Sequence, residues 1–525
     1  MQLLLDLPEI SPALANVVET NPKKLREWLI GLPTSNVIEA GRQIHDALAS
    51  LNRIELAVDE RVKLLAEYEI MLDMMAGSFE ASYAANGVPA KDRARQTATV
   101  HRNLWHEMAT AWKVALVSRL EKRSLFGASG KADPLFIQRV LNSYWRFYRI
   151  CCRLYMPMPA GAWSEIHQVF RLGAKNQFLD EPHEPKNHSI AATYKRILLL
   201  SLADPLRFAL PEQDKLVELV ESYGHLAHFQ PITKLPSHAG YFLIELDSDM
   251  PPRYVGSKIV EGPGMTSILL DTTELSRHLH KIEAVIEAKA PQAHDRAKVQ
   301  ARLQILRRII RQWAIAPQRI YQRIASQTRV DIVFGLRAVG AQLNHGLPMD
   351  PPLKDAAALP ELAPLPLPPR EIRLSQWQVL NESPGGFAVR SVVVPDGLAH
   401  AGEVVAMRAG AESAWMVASV RWLQVNDDNS VEMGLQVMSA RAVPALIRPT
   451  IGAAPLTYLP AVLLPEIATL KQPARIAASK GTYTPMRELS ILTPTGEYKV
   501  RALKLIEQQM NYDLFDYQSD PVPPA

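Results

Sequence analysis

Thr328-Arg329-Val330-Asp331-Ile332-Val333-Phe334-Gly335-Leu336-Arg337-Ala338 places Val330, Ile332, Phe334 and Leu336 at every second position. A period of two sends those side chains to one face of an extended strand. Downstream, Trp377 with Val379, Phe387 with Val389, Val404 and Val405 with Met407, Trp415–Trp422 and Val431–Met438 continue as short strands. Turn residues separate them at Ser383–Gly386, Asp396-Gly397 and Asp427–Asn429. Five or six such strands predict a small antiparallel barrel. Between its first two strands, Pro348–Pro369 carries eight prolines and reads as an extended polyproline-type loop.

Upstream the period changes. Asn36 stands three residues before Glu39, a capping-box-like start, and Val37, Ala40, Ile44, Ala47, Leu48 and Leu51 follow at helical spacing. Leu216, Leu219, Val220 and Tyr223 repeat the pattern after Pro211. Tyr241–Leu246 and Ser267–Leu270 read as short strands, and Thr273–Trp313 as a long helix with a break at Pro291. Past the barrel, Leu459, Val462–Leu464, Ile476, Tyr483, Leu489, Ile491, Tyr498 and Val500 are β-like, and Leu503–Gln509 is helix-like. The fold class is therefore multidomain α+β. Residues 1–235 form an α-helical domain, and 236–316 a short α/β segment with a connecting helix. Residues 317–446 form the barrel, and 447–525 a β-rich C-terminal segment, with a second barrel as one reading of it.

Composition narrows the function. The chain has 525 residues, 47% hydrophobic and 21% charged, a globular balance. Its net charge of +4 excludes a polycation but not a local basic patch. The two cysteines, Cys151 and Cys152, are too few for a disulfide framework or a structural zinc site and fit a reducing, cytoplasmic setting. No secretory signal is read at the N-terminus, and no run reaches the roughly 18 apolar residues of a membrane span. His225 with His228, His183 with His188, and His278 with His280 lack a third metal ligand at a sensible distance. With no Walker loop, dinucleotide fingerprint or nucleophile elbow, no catalytic residue, metal or cofactor is expected.

Charge placement says more. From Arg296 to Arg337 stand ten basic residues and one acid, Asp331. Arginine in such excess suits phosphate or planar edges. A solvated helix face accounts for Arg296–Arg311, but less well for Arg319 and Arg323, which follow Pro317 and precede a strand. A nucleic-acid reading of the stretch lacks any recognisable motif and has only Trp313 and Tyr321 as interleaved aromatics.

Arg319-Ile320-Tyr321-Gln322-Arg323 reads RxxxR, and Asn381-Glu382-Ser383-Pro384-Gly385-Gly386 reads [D/N]xSxxG. In this order on a barrel pattern, with Ser419–Trp422 and Gly434–Val437 as closing strands, residues 317–446 resemble a PilZ domain, the bacterial receptor module for cyclic di-GMP. The resemblance covers about a quarter of the chain, and RxxxR alone is unselective, since Arg307–Arg311 matches it too. It implies a cytoplasmic, non-enzymatic effector that binds cyclic di-GMP through Arg319, Arg323, Asn381, Ser383, Gly385 and Gly386. Two ligand molecules per domain and an unidentified protein partner belong to the same expectation. Arginine can clamp a guanine edge, stack on its ring or pair with phosphate. Asn381 would meet a guanine edge, and Ser383 a phosphate or the turn itself. Gly385 and Gly386 would allow close backbone approach and unusual dihedrals. An ordinary hairpin turn uses the same residue types. The competing expectation is a barrel that binds no ligand and serves as an interaction scaffold.

Overall fold

Asn21 and Asn36 each open a helix. The Asn21 side-chain oxygen accepts the N–H groups of Lys23 at 2.9 Å and Lys24 at 3.3 Å, and that of Asn36 accepts the Glu39 N–H at 3.5 Å. These caps start α1 (Pro22–Ile30) and α2 (Val37–Leu51). The helical part continues through α3 (Val58–Tyr83), α4 (Asp92–Glu121), α5 (Pro134–Arg153), α6 (Ala162–Lys175), α7 (Ile190–Leu202) and α8 (Leu210–Tyr223). The structure is a computed structural model describing residues 3–83, 92–121, 132–180, 188–232, 239–255, 266–290, 296–314, 322–349, 373–391, 399–450, 458–467 and 472–519.

The apolar face of α2 read from sequence packs inward: Ala40, Ile44, Leu48 and Leu51 are buried. Beside this core lies a buried ion pair. Lys113 Nζ on α4 donates to both Glu165 oxygens on α6, at 2.9 and 2.7 Å, with the two side chains 2% and 8% exposed. The Tyr144 hydroxyl and the Asp6 N–H also donate to that carboxylate, which fastens the N-terminal segment to three helices.

Strands β1 (His228–Pro231), β2 (Tyr241–Glu245), β3 (Arg253–Tyr254) and β4 (Ser267–Asp271) form an antiparallel sheet in the order β1-β4-β2-β3. The long helix expected over Thr273–Trp313 is two helices, α9 (Thr273–Lys289) and α10 (Arg296–Ala314). They run antiparallel. Arg307 on α10 bonds Glu283 at 2.6 Å and Glu287 at 2.9 Å on α9, and the Thr272 hydroxyl, just before α9, donates to the Trp313 carbonyl at 2.6 Å. Phe242, Ile244, Leu270, Ile309 and Trp313 join the same core as the N-terminal helices. The Trp313 indole N–H donates to the Leu199 carbonyl at 2.9 Å.

The first barrel uses β5 (Ile324–Ala325), β6 (Arg329–Phe334), β7 (Ser375–Ser383), β8 (Gly386–Ser391), β9 (Val404–Arg408), β10 (Met416–Val425) and β11 (Val431–Ser439). The antiparallel order is β5-β7-β6-β9-β10-β11-β8, and a β7–β8 pairing closes the ring. The alternation from Thr328 stops short of Ala338. Gly335 takes a left-handed φ of 89°, ends β6, and starts α11 (Leu336–Leu343), so Leu336 belongs to a helix. With Val333 and Val404 of the first barrel and Val462 and Leu514 of the second, Leu336 and Val339 form a core between the two barrels.

The second barrel is closed in the order β12-β13-β14-β17-β16-β15. Its strands are β12 (Val443–Pro449), β13 (Leu459–Leu464), β14 (Arg475–Ser479), β15 (Glu488–Thr493), β16 (Gly496–Gln508) and β17 (Tyr512–Ser519). Of Leu503–Gln509, helix-like by spacing, all but Gln509 are the end of β16. Register shifts between Ala502 and Glu507 break the two-residue period there. Residues 350–369 of the proline-rich loop lie outside the described residues.

Lys113→Ala would leave the Glu165 carboxylate buried without its cation. The expected loss is about 3–5 kcal/mol of helical-part stability, measured by urea unfolding followed through far-ultraviolet circular dichroism.

Candidate ligand-binding site

The Ser383–Gly386 segment is a two-residue hairpin joining β7 to β8. Ser383 pairs with Gly386 across it, and the Ser383 hydroxyl donates to the Gly386 carbonyl at 3.2 Å. Gly386 also lies opposite Gln436 on β11, and the Val437 N–H donates to the Gly385 carbonyl at 3.2 Å. A Cβ on Gly386 would fall 2.0 Å from the Leu435 carbonyl oxygen, so close strand approach, rather than an unusual dihedral, demands this glycine. Neither Gly385 nor Gly386 has a left-handed backbone. Gly434 is constrained likewise: a Cβ there would meet Trp422 Nε1 at 1.9 Å.

Pairing of Ile324 with Glu382 and Ala325 with Asn381 brings Arg323 level with this hairpin. Arg323, Ser383, Gly385 and Gly386 together line a cleft of about 170 Å³, joined by Arg207, Phe387, Arg421, Trp422, Gly434 and Leu435. Asn381 is half-buried on β7, two residues before Ser383, and is not part of that lining. Arg319 lies outside the described residues. Pockets that enclose a small molecule run to roughly 300–1,000 Å³. This cleft therefore suits a phosphate or one edge of a planar ring, and a larger ligand would extend across its rim.

Arg421 is saturated by neighbouring acceptors. Its Nε donates to Gln436 Oε1 at 2.6 Å, and its two terminal nitrogens grip both oxygens of Glu507 on the second barrel. Burial alone would lower the Arg421 pKa, but Glu507 overrides it and holds the guanidinium charged. Burial pushes the Glu507 carboxyl up, and the Arg421 hydrogen bond and charge pull it to a net value below its ordinary range. Gln509 also donates to Glu507, and Gln509 Oε1 accepts from Arg308 at 3.4 Å. Arg308 in turn bonds Glu212 of α8 at 3.0 and 3.1 Å.

Several of the other arginine candidates are occupied. Arg307 and Arg308, open to phosphate in the sequence, face Glu283, Glu287 and Glu212. A larger cavity of about 450 Å³ lies between the helices and the β10–β11 turn, but three of its arginines, Arg95, Arg102 and Arg153, face Asp92, Asp427 and Asp214. Cys151 and Cys152 are buried in α5. Burial pushes the Cys151 thiol up to about 12 and Cys152 well above its ordinary range, so both are neutral near pH 7.

Sequence reasoning missed Arg207 and did not assign Arg421 and Trp422 to the site. In sequence that pair reads only as part of a closing strand, and the β10–β11–β8 pairing is what brings it toward the hairpin. No signal near Arg207 points to the barrel, because the two meet only through tertiary packing.

Gly386→Ala would force β8 and β11 apart or push the hairpin out. The expected cost is about 1–3 kcal/mol, read as a lowered unfolding midpoint of the barrel. A second expectation concerns pH. A carboxyl whose folded pKa is depressed adds stability above its unfolded pKa, and that stability is lost as pH falls through the folded value. The Arg421–Glu507 link should therefore hold above about pH 4.3 and fail progressively below it. The wild type should show a steeper acid loss of stability than Glu507→Gln between about pH 5 and pH 3, in denaturant melts compared across that range. Equal slopes would contradict the assignment.

Three family models match successive parts of the chain. The cyclic-di-GMP receptor FimW N-terminal domain matches residues 23–234, and the FimW middle PilZ domain residues 241–355 and 369–444. The FimW C-terminal beta-barrel domain matches residues 446–519. The curated relative, a cyclic-di-GMP receptor FimW of Pseudomonas aeruginosa, is 24% identical over 517 residues, covering 87% of this chain and 84% of its own. Helices, PilZ barrel and terminal barrel thus follow one another in the family's order, and the chain belongs to the cyclic-di-GMP receptor FimW family.

Proposed function

We propose that this chain is a non-catalytic receptor that binds cyclic di-GMP across the cleft beside the Ser383–Gly386 hairpin and passes the signal to a protein partner. One observation carries the reading: Arg323 and the hairpin motif, about 60 positions apart in sequence, line the same cleft. The β5–β7 pairing is what aligns them. Family membership supports the choice of ligand.

The chemistry fits the residues. Arg323 offers a planar fork to a phosphate or to the O6/N7 edge of guanine. Gly385 leaves the turn backbone uncovered by a side chain, so a ligand can approach closely there, while Gly386 lets the hairpin pack against β11. Ser383 holds the turn and keeps lone pairs toward its surroundings. Asn381 leaves β7 on the same face as Ser383 by the strand's pleat, which puts its amide within a longer ligand's reach. Arg319, four residues before Arg323, is assigned to the same ligand by its motif. A second stacked ligand would bring the phosphates to four and meet the further arginines of the surface, giving two molecules per domain.

Calorimetric titration with cyclic di-GMP, GTP and a short DNA duplex tests this. Only cyclic di-GMP should bind, with a ratio near two. Arg323→Ala should cost about 1.5–3 kcal/mol of affinity. Arg307→Ala should change little, because that side chain is held by Glu283 and Glu287. A ratio near one would remove the stacked pair. No cyclic di-GMP binding at all would favour a ligand-independent interaction scaffold.

A further inference from the structure

One of the cleft's cations comes from outside the barrel. Arg207 ends the short turn Pro205–Arg207 between α7 and α8, in the helical part. The backbone of this turn is tied down on both sides. The Arg207 carbonyl accepts from Arg308 Nη2 at 2.7 Å, and the Phe208 carbonyl accepts the Tyr155 hydroxyl at 2.8 Å and Gln213 Nε2 at 3.3 Å. The Arg308 guanidinium lies 4.1 Å from the centre of the Phe208 ring. Position is therefore fixed while the Arg207 side chain stays 38% exposed.

The distribution of partners separates Arg207 from Arg421. Arg421 gives all its edges to Gln436 and Glu507. Arg207 gives only Nε, to Asp204 three residues earlier in the chain. Its two terminal nitrogens make no hydrogen bond among the described residues. An exposed local ion pair of this kind contributes little stability, so the pair alone does not explain why an arginine is presented to the cleft. Asp204 takes one edge of the guanidinium and leaves the opposite fork to an incoming acceptor.

We propose that Arg207 is a ligand-binding residue supplied by the helical part, and that its terminal nitrogens take a phosphate or a guanine edge of the cyclic dinucleotide held on the barrel. The inference rests on the cleft reading given under Proposed function. A ligand held this way bridges two parts of the chain that are separate in sequence, and its affinity depends on how the helices sit against the barrel. Binding then stiffens the 204–208 turn as well as the hairpin.

The test uses the full-length protein and cyclic di-GMP itself. Calorimetry on wild type, Arg207→Ala, Arg207→Lys and Arg323→Ala is combined with hydrogen exchange on the wild type with and without ligand. Arg207→Ala should weaken binding tenfold or more, about 1.4 kcal/mol or more by the affinity relation. Arg207→Lys should recover part of the loss, since it restores the charge but not the fork. Residues 204–208 should gain protection on ligand addition. If Arg323→Ala weakens binding while Arg207→Ala stays within twofold of wild type, this inference is overturned and the cleft reading stands. Absence of protection at 204–208 overturns it as well, even where Arg207→Ala binds poorly because the apo protein is destabilised. If the wild type does not bind cyclic di-GMP, both readings fall together.

Discussion

A chain of charged hydrogen bonds runs through the point where the three parts of this protein meet. Glu212 on a helix, Arg308 on the connecting helix, Gln509 and Glu507 on the second barrel, and Arg421 on the first barrel follow one another without a gap. Partly buried charges are costly unless paired with good geometry. Each part of the chain therefore leaves a charge uncompensated if it moves alone. Apolar contacts reinforce the arrangement. Tyr155, in a left-handed conformation just past α5, sits in the first barrel's core, and its carbonyl accepts the Val425 N–H at 2.8 Å. The helix α11 fills the seam between the barrels.

This arrangement places a small cleft at the edge of the charged chain rather than inside one domain. Arg323 and the hairpin belong to the barrel, while Arg421 ties the cleft to the second barrel. The remaining cation comes from a helical turn whose carbonyl is held by Arg308. Arg421 is common to the cleft and the charged chain: it lines the cleft, and its guanidinium joins the first barrel to Glu507 of the second.

Much of this was legible in the sequence because local pattern and final structure agree. The α2 face, the barrel strands and the hairpin motif all follow from periodicity and turn chemistry that packing does not override. Failures have local causes. Gly335 breaks an apparently continuous strand, and the Leu336–Leu343 helix it starts is too short for a helical period to stand out. At the end of β16, register shifts replace the two-residue period with one resembling a helix. Thr273–Trp313 is two antiparallel helices, whose relative direction periodicity alone cannot set. Of the residues that line the cleft, Arg323, Ser383, Gly385 and Gly386 are carried by the two motifs. Asn381 carries the same motif but lies off the cleft lining. Arg207 was invisible because nothing near it in sequence refers to a barrel that begins more than a hundred residues later.

The most direct test of the central claim is a structure of the full-length protein with cyclic di-GMP bound. The account predicts a phosphate or guanine edge within hydrogen-bonding distance of Arg323 at the Ser383–Gly386 hairpin, with Arg207 reaching the same ligand from the helical side. A dinucleotide found instead on the α9–α10 helices, or in the larger cavity beside Arg102 and Asp427, would contradict it.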